Sequence, residues 1–297
     1  MSEVLRTVIE RLRDARDVER AEIDRITVGD RVLLVEVRDR ESGEVDAGLA
    51  HRPSGAFDGS ETSEGGKAAE PADDYDLEGL LADVARDAAP LAERALGIAA
   101  ANALSAPLVD WRRGDPMALL DEDVERIATV GLFGPAFRKF DGVEVRVIER
   151  DPIEDVPDPG GVEVRTYTPA GADVALRDAE VVFVTGSALI YGGIDQYLAA
   201  APDEATVVVI GATASFLPEP LFEAGVDVVA GASVVDTARA RDAVAAGACG
   251  TDLHEAGVEK VCVAGARPAG VRLGGQSEGT DGERTQANPS HEESTNL

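Results

Sequence analysis

Four short stretches carry the residue types that could meet a ligand: Gly131-Leu132-Phe133-Gly134-Pro135, Glu149-Arg150-Asp151-Pro152, Thr185-Gly186-Ser187-Ala188-Leu189 and Gly211-Ala212-Thr213-Ala214-Ser215. Each follows a short β-branched run, where a parallel sheet leaves backbone amides and helix N-termini free for a ligand. Glycines in the first let a backbone approach a ligand, and Pro135 suits the start of a helix. Glu149 follows Gly131 by about eighteen residues, the position where an acidic group holds ribose hydroxyls in dinucleotide folds. The same residue reads equally as a solvated strand-end carboxylate, and the first loop is not a GxGxxG fingerprint. Thr185, Gly186 and Ser187 suit an anion or a carboxylate, while Ser187 could instead cap a helix beginning near Ala188. Thr213 and Ser215 invite the same two readings.

Histidine and cysteine chemistry is sparse. His51 closes a strand and reads as structural, His254 lies beyond the main strands, and His291 falls in the tail. The sequence contains no Ser-His-Asp, Cys-His, HExxH or CxxC arrangement. Cys249 and Cys262 lack metal-type spacing, so neither a disulfide framework nor a tight zinc or copper site is indicated. A reduced, cytoplasmic setting is the expectation.

The elements that must position these residues follow from periodicity. Val4, Leu5, Val8, Ile9 and Leu12 recur at helical spacing, predicting an opening amphipathic helix. Ile26 to Arg38 alternates as one strand and turns back at 41–43 into Glu44 to His51, predicting a hairpin. A second helical region runs from Leu77 to Ala103, divided near Pro90. From about Asp123 the pattern becomes β/α: strands are expected at Arg126–Leu132, Val143–Glu149, Val181–Thr185, Val207–Ile210, Val226–Val229 and Glu259–Ala264. Runs such as VVFVT are apolar on both faces, as in a parallel sheet covered by helices. We therefore expect an α+β domain over 1–106, with a disordered insertion at 53–74. A crossover at 107–122, an α/β Rossmann-like domain at 123–265 and a disordered tail at 266–297 follow.

Composition narrows the partners. Asp+Glu number 57 against 28 Lys+Arg, a net charge of -29 spread along the 297 residues. Nucleic acid and anionic membranes are unexpected partners for such a chain. With only three lysines, the balance reads as adaptation to concentrated salt. No run approaches the length of a membrane span, and the charged N-terminal helix lacks the apolar core of a signal peptide.

Taken together, VGLFGP (130–135), Glu149, TGSALIYGGIDQYL (185–198), the run from Val207 to Asp236 and ALGIAAANAL (95–104) resemble the family labelled "putative heavy-metal chelation". The resemblance implies a smaller domain similar to the enolase N-terminal fold, a Rossmann-like C-terminal domain and a cleft between them. It maps ligand contacts onto Asn102, Gly131, Phe133, Pro135, Glu149, Gly186, Ser187 and Leu189, to which Tyr191 and Thr213 are added as local candidates. Tyr191 and Gly193 depart from the Asn and Thr that the family pattern leads one to expect. The resulting expectation is a small anionic ligand, a divalent metal or a metal complex in the cleft, with Glu149 and Asp195 as oxygen donors. An enzyme with a nucleotide-type cofactor and a non-catalytic structural or regulatory module are the alternatives. A homodimer is compatible with the resemblance.

Overall fold

The computed structural model describes residues 2–57, 70–71, 75–115, 124–132, 142–151, 153 and 160–265. Phe133, Pro135, Pro152, His291, the tail, most of the expected insertion and residues 116–122 of the expected crossover lie outside the described residues.

Helix α1 (Glu3–Ala15) buries the five apolar side chains that its periodicity singled out. Its N-terminus is closed twice. Ser2 Oγ accepts from the Leu5 N–H at 3.4 Å, and Asp195 Oδ1 accepts from Glu3 N at 3.2 Å and Val4 N at 3.4 Å. Those amides have no intrahelical partner, so a carboxylate there also meets the positive end of the helix dipole. Asp195 is thus committed to helix capping and lies apart from the cleft described below.

The expected single strand from Ile26 to Arg38 is two strands, β1 (Ala21–Val28) and β2 (Val32–Asp39), paired antiparallel. Gly29 donates its N–H to Val32 O at 2.9 Å and turns the chain inside a run whose alternation continues across the turn, which is why the pattern reads as one strand. β3 (Val45–His51) then pairs with β2, and the Asp39 carboxylate closes their turn by accepting from Glu41 N and Ser42 N at 2.8 and 2.9 Å. The two-residue β4 (Glu70–Pro71) borders β1. Helices α2 (Leu77–Ala85) and α3 (Leu91–Ser105), separated at Pro90 as the sequence predicts, lie against this sheet. At Gly48 a Cβ would fall 2.2 Å from Ala99 O and 2.4 Å from Ala103 N, so only glycine lets α3 sit this close to β3.

The second sheet contains β5 (Arg112–Arg113), β6 (Arg126–Val130), β7 (Val143–Ile148), β8 (Val162–Tyr167), β9 (Val181–Thr185), β10 (Thr206–Ile210), β11 (Val228–Val234) and β12 (Val258–Ala264), in spatial order β5-β12-β11-β10-β9-β6-β7-β8. Counted from β6 as the first, the six parallel strands run 3-2-1-4-5-6, the order of a Rossmann sheet. β12 and β5 extend it antiparallel at one edge. β8 was not anticipated: its Glu163 and Arg165 face solvent on the opposite edge, so its sequence VEVRTY reads as polar. Short helices α4 (Ala172–Leu176), α5 (Ser187–Tyr191), α6 (Ile194–Ala200) and α7 (Glu219–Glu223) connect the parallel strands, and α8 (Thr237–Ala245) and α9 (Thr251–His254) precede β12.

The two sheets share their interior. One buried cluster runs from Val8, Leu12 and Leu96 through to Val184, Phe216 and Val229, and a second joins Leu34 and Leu49 to Val244, Leu253 and Val258. Beside the second, Glu36 on β2, buried to 1% exposure, takes a bidentate 2.7 Å pair from Arg241 on α8. Removing one partner of such a pair strands a charge away from water. Arg241→Ala is expected to lower unfolding free energy by about 3 kcal/mol, read from urea midpoints in molar salt; a change below about 0.5 kcal/mol, the usual surface range, would contradict the assignment.

Candidate functional site

The sheet reverses its winding between β6 and β9, and ligands of open α/β sheets bind outside the strand ends at that switch point. A cleft of about 790 Å³ opens there, between the carboxyl ends of β6, β7, β9, β10 and β11 and the end of β3 from the other sheet. That volume lies within the range of sites for ligands of drug size.

The floor is glycine and hydroxyl. Gly131 follows β6 at φ +93°, and a Cβ would lie 2.5 Å from Thr185 Oγ1, so both conformation and space demand glycine. Thr185 Oγ1 and Ser187 Oγ are 2.8 Å apart and share a hydrogen bond, while Gly186 abuts Thr213. Gly131, Glu149, Gly186, Ser187, Tyr191 and Thr213 all line the cleft.

Asn102 and Leu189 do not line it. Leu189 is 1% exposed in the shared core. Asn102, equally buried, donates through Nδ2 to Leu49 O at 2.7 Å, Ala212 O at 3.1 Å and Thr213 O at 3.2 Å. It therefore ties β3 to the turn after β10 and shapes the cleft from behind. Thr213 Oγ1 completes that tie by accepting from the His51 N–H at 3.0 Å.

Glu149 is only partly available to a ligand. Its Oε2 accepts from Leu132 N at 2.9 Å and its Oε1 from Arg150 N at 3.1 Å, so the carboxylate braces the β6 loop. In a dinucleotide fold the amides of that loop approach pyrophosphate. Here a phosphate would meet the Glu149 carboxylate at the described part of the loop, which weighs against the nucleotide reading.

Sequence reasoning passed over the cationic side of the cleft. Arg31, Arg150 and Lys260 line it with His51 and His254, against the carboxylates Glu149 and Asp115. Lys260 Nζ pairs with Asp115 at 2.8 Å, whereas Arg31 and Arg150 form no ion pair among the described residues. The Arg150 guanidinium sits 3.4 Å from the centroid of the Tyr191 ring, whose hydroxyl is 3.3 Å from His51 Nε2. Burial, then Arg150 and Arg31, hold His51 below the ordinary histidine range, and burial followed by Lys260 does the same for His254. Burial pushes the Tyr197 hydroxyl up, so it remains protonated at neutral pH. Arg150 could have been found from its place beside Glu149, but Arg31, in the β1–β2 turn, and His254 reach the cleft only through tertiary folding.

A two-sheet α/β protein with Rossmann strand order and a ligand-sized cleft at the switch point is the class these features define. A family model described as "Putative heavy-metal chelation" matches residues 115–263, half of the chain, and the protein belongs to that family. An uncharacterised protein of Methanocaldococcus jannaschii is 26% identical over 163 residues, which cover 52% of this chain and 60% of the relative's length. The crystal structure of a family member of unknown function from Pyrococcus horikoshii superposes with a TM-score of 0.68 at 22% identity, covering 88% of this chain and 99% of that one. One from Desulfitobacterium hafniense gives 0.63 at 16% identity, covering 89% and 100%. These likenesses show the fold.

The family label raises a metal, and the donor set does not fit a bare ion. Among the described residues no three His, Cys, Asp or Glu side chains gather as ligands. Glu149 is braced by amides, and burial raises the Cys262 thiol away from the thiolate a soft metal needs. No helix among the described residues is long and apolar enough to cross a membrane.

The depressed histidines carry a pH signature. Their folded pKa values lie below the unfolded value of about 6.5, so the unfolded chain takes up protons first as pH falls. Their contribution to stability is complete above that value and declines as pH drops through it toward the folded pKa. The urea midpoint is expected to fall over about one unit on either side of the unfolded pKa, and the His51→Gln/His254→Gln double variant to fall less. An equal fall in both proteins would refute the assignment.

Proposed function

We propose that the protein binds a small anionic molecule in the cleft at the carboxyl end of the parallel sheet. The observation that carries this reading is the pair Arg31 and Arg150, which line the cleft without a carboxylate partner among the described residues in a chain of net charge -29. In a protein whose surface repels anions, cations in a concave, partly dry site attract one selectively, because the local field there is poorly screened. Lys260 and the hydroxyls of Thr185 and Ser187 offer further contacts.

A heavy metal belongs to this reading as cargo held by an anionic organic chelator. The cleft would then recognise the chelator's carboxylates or phosphates, and Glu149 would position the β6 loop and leave the metal's coordination to the chelator. This accommodates the family's label without requiring a ligand set that the described residues do not supply.

Native mass spectrometry with elemental analysis, on protein purified in high salt without chelators or a metal column, tests the proposal. The expected result is a stoichiometric anionic adduct whose affinity falls about tenfold or more in Arg150→Ala, the scale of a hydrogen bond to a charged group. An adduct bound equally well by the variant would remove Arg150 from the site and overturn the reading.

A further inference from the structure

Tyr191 and His51 reach the cleft from different sheets, the first at the end of α5 and the second at the end of β3. Tyr191 Oη lies 3.3 Å from His51 Nε2 and accepts a 3.4 Å hydrogen bond from the Ser54 N–H. With the amide hydrogen directed at the oxygen, the hydroxyl's own proton is the one available to the imidazole. The charged groups acting on His51 are Arg150 and Arg31, which together with burial keep the ring neutral and able to accept. The Arg150 guanidinium lies over the face of the ring, 3.4 Å from its centroid. Amide, imidazole and guanidinium thus all contact the Tyr191 side chain. A tyrosine that only filled the interface would need none of the three.

We propose that Tyr191 and His51 form an acid–base couple that moves a proton to and from the ligand of the cleft, an anion carrying an ionisable O–H or C–H bond. This rests on the anion-binding reading above and makes the site catalytic. Tyr191 Oη takes the proton as the ligand's X–H bond breaks, its electron pair staying on X. The Oη–H proton passes to Nε2, leaving a neutral tyrosine, an imidazolium and the conjugate base of the ligand. Arg150 and Arg31 stand beside the new negative charge, and return of the proton to the same or a neighbouring atom closes the cycle. His51 recharges Tyr191, and its backbone is fixed for that task by Thr213 of the other sheet.

para-Nitrophenol, an acidic phenol whose ionisation is visible by absorbance, serves as the probe on the full chain in molar salt. Equilibrium dialysis measures the amount bound separately from the amount ionised. In the wild type the bound probe is expected to ionise while the protein keeps the proton, seen as a calorimetric binding heat that does not depend on the buffer. Tyr191→Phe and His51→Gln are expected to leave the bound probe about tenfold less ionised at the same pH, one pKa unit. Equal ionisation in all three proteins overturns the couple and leaves anion binding standing. Binding by the wild type wholly as the phenol, or failure of millimolar probe to bind it at all, overturns both.

Discussion

The cleft exists because one side-chain amide fixes the distance between two sheets. Asn102 reaches the carbonyls of Leu49, Ala212 and Thr213 from the last turn of α3, a helix that Gly48 allows to lie directly on β3. A buried amide that donates to backbone groups of both units carries a directional constraint which apolar packing lacks. Everything on the cleft wall inherits that register. His51 is held by Thr213 and Tyr191 is met by His51, and Arg150 then stacks on Tyr191. Because the cores on either side are continuous, the interface behaves as interior and not as a hinge between independent bodies.

The parts of this architecture that were legible in the sequence are those governed by local periodicity. α1 and the division at Pro90 follow from spacing and from proline's missing N–H, and the doubly apolar β9 and β10 from the rule that parallel strands are covered on both faces. The β1–β2 break was hidden because a glycine turn can interrupt an alternating run without changing its phase. β8 was hidden because an edge strand carries charges where an inner strand carries valines. Neither error altered the fold class, since the alternation of the remaining strands with helices already implied a Rossmann-like sheet.

The site was legible only in its floor. Glycines and hydroxyls after strands announce themselves because their backbone role is local, and Gly131, Gly186, Ser187 and Thr213 do meet at the cleft. Its charges did not announce themselves. Arg31 sits in a turn, His254 on a four-residue helix and Lys260 on an antiparallel strand, and only the tertiary fold brings them to one place. Asn102 and Asp195 illustrate the converse. Each has the chemistry of a ligand contact, yet each is consumed by the backbone of the other unit, a use that composition and spacing do not reveal.

The shared core also separates two boundaries that are easily equated. The stretch recognised by the family model begins at residue 115, just after β5 and before β6. A chain cut there would lose the strand that pairs with β12, the Ser105 hydroxyl that accepts from the Leu217 N–H, and the partner of Arg241. The matched stretch is therefore shorter than the length of chain whose side chains bury one another in the shared core.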